Sequence, residues 1–122
     1  KPETCIFIYD SPEDIKRKIS NAFCPEKMVE LNPILEYCKY IIFRESKTFE
    51  IERPAKFGGN IEFSSYEELE KVYREGKLHP MDLKNALAKE LIKILEPVRR
   101  YFERNKTAKE TLEIIKKAQI TR

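Results

Sequence analysis

The chain has 122 residues, 41% of them hydrophobic and 37% charged, and carries a formal net charge of +3 at neutral pH. This length is suited to one domain with a single modest core. Because both signs of charge are abundant, the net charge does not itself indicate nucleic-acid binding, and any basic face must come from local clustering. Three cysteines without a CxxC pair argue against a disulfide scaffold or a closed zinc site and favour reduced thiols.

The sequence gives no indication of a membrane or secreted protein. No apolar run approaches the roughly 20 residues that a membrane-spanning helix needs, and no signal peptide is evident. We therefore expect a cytoplasmic protein. Because the chain starts without an initiator methionine and enters an apolar stretch directly after Lys1, Pro2 and Glu3, we expect it to begin partway through a longer protein.

The first two predicted elements are an extended segment and a helix. Thr4 to Tyr9 is β-branched, aromatic and apolar, which predicts a strand or extended segment. Ser11 is a good N-cap residue and Pro12 fits the first helical position. The helix is predicted to continue to about Phe23, with its apolar residues on one face and Lys16, Arg17 and Lys18 largely on the other.

A second helix and a hairpin follow. Asn32 is predicted to cap a helix from Pro33 to about Phe43, which is apolar nearly all round and is therefore expected to be buried on more than one side. Thr48 to Arg53 and Asn60 to Ser64 alternate apolar and polar residues, a pattern typical of two half-buried strands. The connection, residues 54–59, contains two glycines that allow a tight turn with positive φ.

The C-terminal half is predicted to be helical. A Ser-x-x-Glu capping box at Ser65 starts a helix that Gly76 ends. Pro80 opens the longest helix, which Pro97 is expected to kink or end. A second capping box at Thr107 is expected to start the last helix. The pattern as a whole predicts a mainly helical α+β domain, bundle-like, with a small β-hairpin.

The sequence offers little support for catalysis. The only histidine is His79, so a nucleophilic pair with Cys24 is the one Cys–His arrangement available, and it is disfavoured. Phosphate-binding glycine loops and a zinc-binding HExxH helix are absent from the sequence. Two pairs of adjacent carboxylates, at residues 13–14 and 67–68, fall in predicted first turns, where stabilisation of the helix N-terminus explains them better than acid–base chemistry.

Phe57 is the first candidate recognition residue. It lies between Lys56 and two glycines in the predicted hairpin turn, a poor place for core packing. Either the ring folds back over the sheet, or the turn presents an aromatic face on which an unpaired base can stack.

The second candidate is the start of the longest helix, His79 to Asn85. Pro80 and Asp82 are residues that simply start a helix well. Alternatively, Asp82 accepts two hydrogen bonds from a guanine edge, His79 and Pro80 offer a flat surface, and Lys84 reaches a phosphate. The further cations of this helix alternate with glutamates, so a solvated mixed face is favoured over a continuous phosphate track.

These motifs resemble the C-terminal domain of archaeal and eukaryotic-type tyrosyl-tRNA synthetases, in order and with similar spacing over roughly residues 1–103. The resemblance is carried by the Phe23-Cys24-Pro25, Asn32-Pro33, Lys56-Phe57-Gly58-Gly59, Ser65-Tyr66-Glu67-Glu68-Leu69, His79 to Asn85 and Ile94 to Arg99 segments. Each motif alone is weak, but the combination is specific. The resemblance implies a domain of residues 1–106 that binds the anticodon of tRNA(Tyr), whose first 10 residues are a linker or strand from a catalytic domain. Residues 107–122 are then a helical extension.

The resemblance also implies roles for individual residues. Phe57 stacks on the first anticodon base, a guanine, while His79 and Pro80 pack on the other side of that base and Asp82 binds its edge. Positions lining the rest of the anticodon surface are matched by Cys24, Pro25, Met81 and Lys84.

The chemistry of such an enzyme belongs to a catalytic domain that this chain does not contain. In the family, that domain is a Rossmann-type class I fold that uses ATP, with magnesium, to activate tyrosine, and it also forms the homodimer. The chain alone is therefore expected to be inactive and to contact its own catalytic domain. Two alternatives stay open: a helical protein-interaction module that docks on a catalytic domain, and the equivalent domain of a tryptophanyl-tRNA synthetase.

Overall fold

The structure, a computed structural model, describes the backbone of residues 6–120 and the side chains of residues 6–118. Within these residues the fold combines six α-helices with one two-stranded antiparallel sheet. In chain order the elements are α1 (Pro12–Ser20), α2 (Pro33–Tyr37), α3 (Phe43–Glu45), β1 (Phe49–Ile51), β2 (Ile61–Phe63), α4 (Tyr66–Arg74), α5 (Pro80–Arg104) and α6 (Lys106–Ile120). The predicted mainly helical architecture with a small hairpin is confirmed.

The described residues before α1 include a turn where a strand or extended segment was predicted. Thr4 and Cys5 of that prediction lie outside the described residues. The Asp10 carboxylate accepts a hydrogen bond from the Phe7 N–H at 2.9 Å, and the Asp10 N–H donates to the Phe7 carbonyl at 3.0 Å. These local bonds replace strand pairing. Lys18, predicted on the solvent face, is instead buried in an ion pair with Asp10 at 2.8 Å.

Helix α1 starts as predicted and ends early. The Ser11 hydroxyl accepts from the Asp14 N–H at 3.1 Å, and the Asp14 carboxylate accepts from the Ser11 N–H at 3.4 Å, which forms a reciprocal capping box. The helix ends at Ser20, and Asn21 is its C-cap residue, whose N–H donates to the Arg17 carbonyl. Phe23, predicted to lie on the buried face of this helix, is 59% exposed.

The second helical segment is interrupted by a π-helical turn. The Asn32 side chain caps α2 as predicted, accepting from the Ile34 and Leu35 N–H groups. Between α2 and α3 the residues Cys38–Ile42 adopt π-helical geometry. The segment is not buried on all sides, since Tyr40 is 58% exposed while Cys38 and Ile42 are buried.

The hairpin presents one apolar and one acidic face. Strand β1 pairs with β2 in a register that sets Phe49 opposite Phe63 and Glu50 opposite Glu62. Phe49, Ile51 and Phe63 are buried, and α5 packs against β1. The two strands are confirmed, and their alternation separates the core face from the solvent face.

Helix α5 is a single helix that crosses most of the molecule. Pro97 lies inside it and does not end it. The predicted cap of α6 at Thr107 is wrong: Asn105 has an extended backbone, and its side-chain oxygen accepts from the Ala108 N–H at 2.9 Å. Thr107 is the second residue of α6.

One apolar core joins α1, α2, α4, α5 and the hairpin. Its largest fully buried side chains include Ile15, Ile19, Leu35, Ile42, Phe49, Leu69, Tyr73, Leu83 and Leu87. Burial of such side chains stabilises the fold by about 1.5–3 kcal/mol each relative to exposure. Within the described residues, no helix combines the length and the apolar character needed to cross a membrane.

Candidate functional site

Phe57, His79 and Asp82 meet around one cleft, although up to 25 positions of sequence separate them. The cleft has a volume of about 220 Å³ and is lined by Glu26, Arg53, Phe57, Gly76, Lys77, Leu78, His79 and Asp82. We call it the Phe57 cleft. Pockets for whole drug-sized molecules measure roughly 300–1,000 Å³, so this cleft is suited to a smaller group such as one flat ring.

One wall of the Phe57 cleft is the hairpin turn. A short 3-10 turn, Ala55–Phe57, ends at Gly58, whose φ of 110° is readily accessible only to glycine. The turn holds the Phe57 ring 58% exposed, not folded over the sheet. The Lys56 ammonium lies 5.1 Å from the ring centroid and covers one face. The exposed ring offers an aromatic surface for stacking.

The opposite wall is the start of α5. His79 is the N-cap residue, and its Nδ1 accepts a hydrogen bond from the Met81 N–H at 3.0 Å. Pro80 occupies the first helical position, which places Asp82 third in the helix, half-buried at the edge of the cleft. In the part of the chain that the structure describes, no hydrogen bond or ion pair engages the Asp82 carboxylate. Among these residues, nothing competes with a ligand for its acceptor oxygens.

Arg53 connects the two walls and was missed by the sequence analysis. Its Nε donates to the Gly59 carbonyl at 2.6 Å, and its Nη1 donates to the Lys77 carbonyl at 2.9 Å. The second bond spans 24 positions of sequence, a separation at which no local pattern gives a signal. Together with Glu26 and Lys77, Arg53 also balances the charge of the cleft, which contains two carboxylates and two cations.

Cys24 and Pro25 lie beside the Phe57 cleft and adjoin it through Glu26. The Tyr73 hydroxyl donates to the Pro25 carbonyl at 2.7 Å and lies 3.2 Å from the Cys24 sulfur. Burial raises the pKa of Tyr73, and its contact with Cys24 raises it further, so the hydroxyl stays a donor. The Cys24 sulfur also accepts from the Asn32 amide at 3.5 Å. The partners of the Cys24 thiol are therefore Tyr73 and Asn32. The structure records no contact of this thiol with His79, the residue that a Cys–His pair would need, among the described side chains.

Met81 and Lys84 do not line the cleft. Met81 is 46% exposed at the start of α5. The Lys84 ammonium donates to the Ser20 carbonyl at 2.9 Å, at the C-terminal end of α1. Lys84 also lines a separate groove between α1 and α5, of about 700 Å³, together with Lys16 and Lys89. A phosphate held by Lys84 would lie in that groove.

The chain matches a known family over most of its length. The sequence model of the family described as tRNA synthetases class I (W and Y) covers residues 1–96. The chain therefore belongs to this family of class I tRNA synthetases.

Within this family, the similar proteins are tyrosine–tRNA ligases. The tyrosine–tRNA ligase of Thermococcus kodakarensis is 54% identical over 123 residues, which cover 100% of this chain and 32% of that protein. The crystal structure of tyrosyl-tRNA synthetase complexed with L-tyrosine from Pyrococcus horikoshii matches with a TM-score of 0.85 and 52% identity, covering 90% of this chain and 30% of that one. The tyrosyl-tRNA synthetase of Aeropyrum pernix matches with a TM-score of 0.85 and 44% identity, covering 95% and 33%. The chain thus spans about a third of the length of the curated relatives it matches, and the comparisons give no support to the tryptophanyl alternative.

Proposed function

We propose that this chain is the C-terminal domain of a tyrosine–tRNA ligase of the archaeal and eukaryotic type and binds the anticodon loop of tRNA(Tyr). The observation that carries the proposal is the Phe57 cleft. It has an exposed aromatic ring on one wall and, on the other, the Asp82 carboxylate, which no described residue engages in a hydrogen bond or ion pair. The first anticodon base, a guanine, stacks on Phe57. His79 and Pro80 pack on the opposite side of that base.

Asp82 supplies specificity in this proposal. A carboxylate close to RNA is unfavourable unless it accepts hydrogen bonds, and a guanine edge offers it two donors, the ring N–H and the exocyclic amine. Stacking on an aromatic ring contributes on the order of 1–3 kcal/mol for any base. Stacking therefore contributes affinity for any base, and the hydrogen bonds to Asp82 make the binding specific for guanine.

The remaining positions belong to the same proposal. Cys24, Pro25 and Met81 line further parts of the anticodon surface, and Lys84 holds a phosphate from the groove between α1 and α5. Residues 1–106 form the anticodon-binding domain, and residues 107–122 form its C-terminal extension.

The reaction of the whole ligase takes place outside this chain. Among the described residues, no group of three or more His, Cys, Asp or Glu side chains is placed to hold a metal ion, and the sequence contains no phosphate-binding glycine loop. We assign no catalytic step to the described residues. We propose that a catalytic domain of the longer, cytoplasmic protein binds ATP, magnesium and tyrosine, forms the homodimer and contacts this chain.

A titration of the 122-residue chain with RNA stem-loops tests the proposal. One stem-loop carries the tRNA(Tyr) anticodon with guanine in first position, and its matched control carries adenine there. We expect binding of the first to be tighter by about 5- to 150-fold, the range that corresponds to about 1–3 kcal/mol for a two-bond base contact. Equal affinity for the two, or no binding of either, would contradict the proposal.

A protein-interaction module is the second candidate, and α6 carries the observation that favours it. Ile114 and Ile115, on successive positions of α6, are 69% and 41% exposed. Such a patch is suited to docking on the ligase's own catalytic domain. Absence of stem-loop binding, together with binding of the chain to a separately produced catalytic domain, would favour this function over RNA recognition.

A further inference from the structure

Arg53 joins the two segments that form opposite walls of the Phe57 cleft. Its Nε donates to the carbonyl of Gly59, two residues after Phe57, at 2.6 Å. Its Nη1 donates to the carbonyl of Lys77, two residues before His79, at 2.9 Å. Within residues 6–118, it is the one side chain whose hydrogen bonds join segment 54–60 to segment 76–82. We call this pair of bonds the Arg53 bridge.

The local structure is built around a guanidinium. The planar group presents several N–H donors in a fixed fork and so reaches two carbonyls at once, whereas a lysine ammonium is a single point of charge on a flexible chain. Nη2 of Arg53 lies 2.8 Å from where a Cβ would stand at Gly58, so the side chain passes against the bare glycine backbone. The Arg53 N–H also donates to the Asn60 side chain at 3.1 Å, which fixes the backbone from which the bridge starts.

We propose that Arg53 is a positioning residue, which sets the spacing and orientation of Phe57 relative to His79 and Asp82 so that both walls contact one base. This inference rests on the function proposed above. One wall is a surface turn and the other is the exposed start of a helix, and a ligand that had to order them would bind less tightly than one that meets a preorganised cleft. The bridge acts through the two carbonyls and needs no contact between Arg53 and the RNA.

The test compares Arg53→Lys with Arg53→Gln in the stem-loop titration, with Arg44→Lys, at an exposed arginine of α3, as the control. We expect Arg53→Lys to weaken binding of the guanine stem-loop about tenfold and to reduce its preference over the adenine stem-loop, with the salt slope unchanged. Arg53→Gln should behave alike, and Arg44→Lys should bind as the original. The proposal is overturned if Arg53→Lys keeps full affinity while Arg53→Gln loses it with a lower salt slope, because that pattern marks a direct phosphate contact.

Two glycine variants displace the bridge without changing Arg53. Gly58→Ala places a Cβ against the guanidinium, whereas Gly59 also has a positive φ, of 74°, but nothing lies within 4 Å of its Cβ position. We expect Gly58→Ala, like Arg53→Lys, to weaken binding of the guanine stem-loop and to reduce its preference over the adenine stem-loop. Gly59→Ala should have a much smaller effect on both. Equal losses in the two variants would assign the effect to backbone strain and overturn the bridge.

Amide hydrogen exchange separates failure of this inference from failure of the proposed function. In the free Arg53→Lys protein we expect faster amide exchange at residues 57–59, 78–79 and 81–82, with the urea-unfolding midpoint close to that of the original chain. If the original chain binds neither stem-loop, the proposed function fails. Amide exchange alone then tests whether Arg53 holds the two segments in place. Unchanged exchange in both segments would overturn it.

Discussion

Helices α1 and α5 begin with the same pattern, a cap, a proline, one further residue and an aspartate, yet they use the aspartate differently. In α1, Asp14 accepts a hydrogen bond from the Ser11 N–H and pairs with Arg17 at 2.8 Å. In α5, the third helical residue is Asp82, and His79 provides the cap through its own ring nitrogen. The Asp14 carboxylate is bonded within its own helix, whereas no described residue bonds to the Asp82 carboxylate.

Position in the helix therefore does not identify the functional carboxylate. Asp14 and Asp82 both lie in a first turn, where the helix dipole favours negative charge. What separates them is the remaining hydrogen-bonding capacity and the surroundings. Asp82 faces a cleft with an exposed aromatic ring. The Asp14 carboxylate lies on the surface and already accepts a hydrogen bond from Arg17.

The largest effect is expected from Asp82→Asn compared with Asp14→Asn. An amide at position 82 offers a donor where guanine also offers donors, so binding of the guanine stem-loop should weaken by about 1–3 kcal/mol, roughly 5- to 150-fold. Binding of the adenine stem-loop should change much less. Asp14→Asn should leave both unchanged. Fluorescence titration measures all four combinations, and an equal loss on both RNAs for Asp82→Asn would remove its role in specificity.

Phe57→Leu should have the next largest effect, and it should not depend on the base. Loss of stacking is expected to weaken both stem-loops by about 1–2 kcal/mol, since every base has a flat face. Tyr101→Leu is the matched control, because Tyr101 on α5 is 57% exposed, almost as much as Phe57. Equal weakening by the two variants would mean that any exposed aromatic residue contributes and that the cleft is not special.

His79→Ser is designed to give α5 the cap that α1 has. Serine at position 79 completes a capping box with Asp82, so the carboxylate should turn to its own helix while the imidazole surface is lost. We expect binding of the guanine stem-loop to weaken about tenfold with no loss of stability, and His79→Ala to lower stability by about 1 kcal/mol. Urea unfolding measures stability beside each titration. If His79→Ser binds like the original chain, the histidine cap is not what keeps Asp82 free.

The smallest effect concerns the pH dependence of stability in α1. Hydrogen bonding from Arg17 is the main cause that holds the pKa of Asp14 below its usual value. The carboxylate therefore stabilises the folded state above its unfolded-state pKa, and this contribution is lost as the pH falls through the lower folded-state pKa. Asp14→Asn should lower stability by about 0.5 kcal/mol at pH 7, since the ion pair is exposed. The difference should diminish as the pH falls below the ordinary carboxyl range, and urea unfolding at pH 7 and at acidic pH measures it.

The sequence predicted the parts of the fold that depend on neighbouring residues. Ser11, Asn32 and Ser65 cap the helices that their own segments predicted, because a cap is a contact over two or three positions. The turn at Asp10 and the cap at Asn105 were not predicted. The first depends on a side chain folding back on a strand-like stretch, and the second competes with an equally plausible signal at Thr107.

The sequence predicted several residues of the candidate site but not the contacts that assemble them into one cleft. Local pattern left Phe57 and Asp82 with two explanations each, and resemblance to a family joined them. The structure brings both to one cleft, while their roles toward RNA stay predictions. Arg53 and Glu26 could not be found from the sequence, because their places in the cleft follow from how distant segments pack.

The bond that caps α5 also fixes the chemistry of the histidine edge. Because Nδ1 of His79 accepts the Met81 N–H, a neutral imidazole must carry its proton on Nε2. The outward nitrogen of the ring is then a hydrogen-bond donor and cannot act as an acceptor.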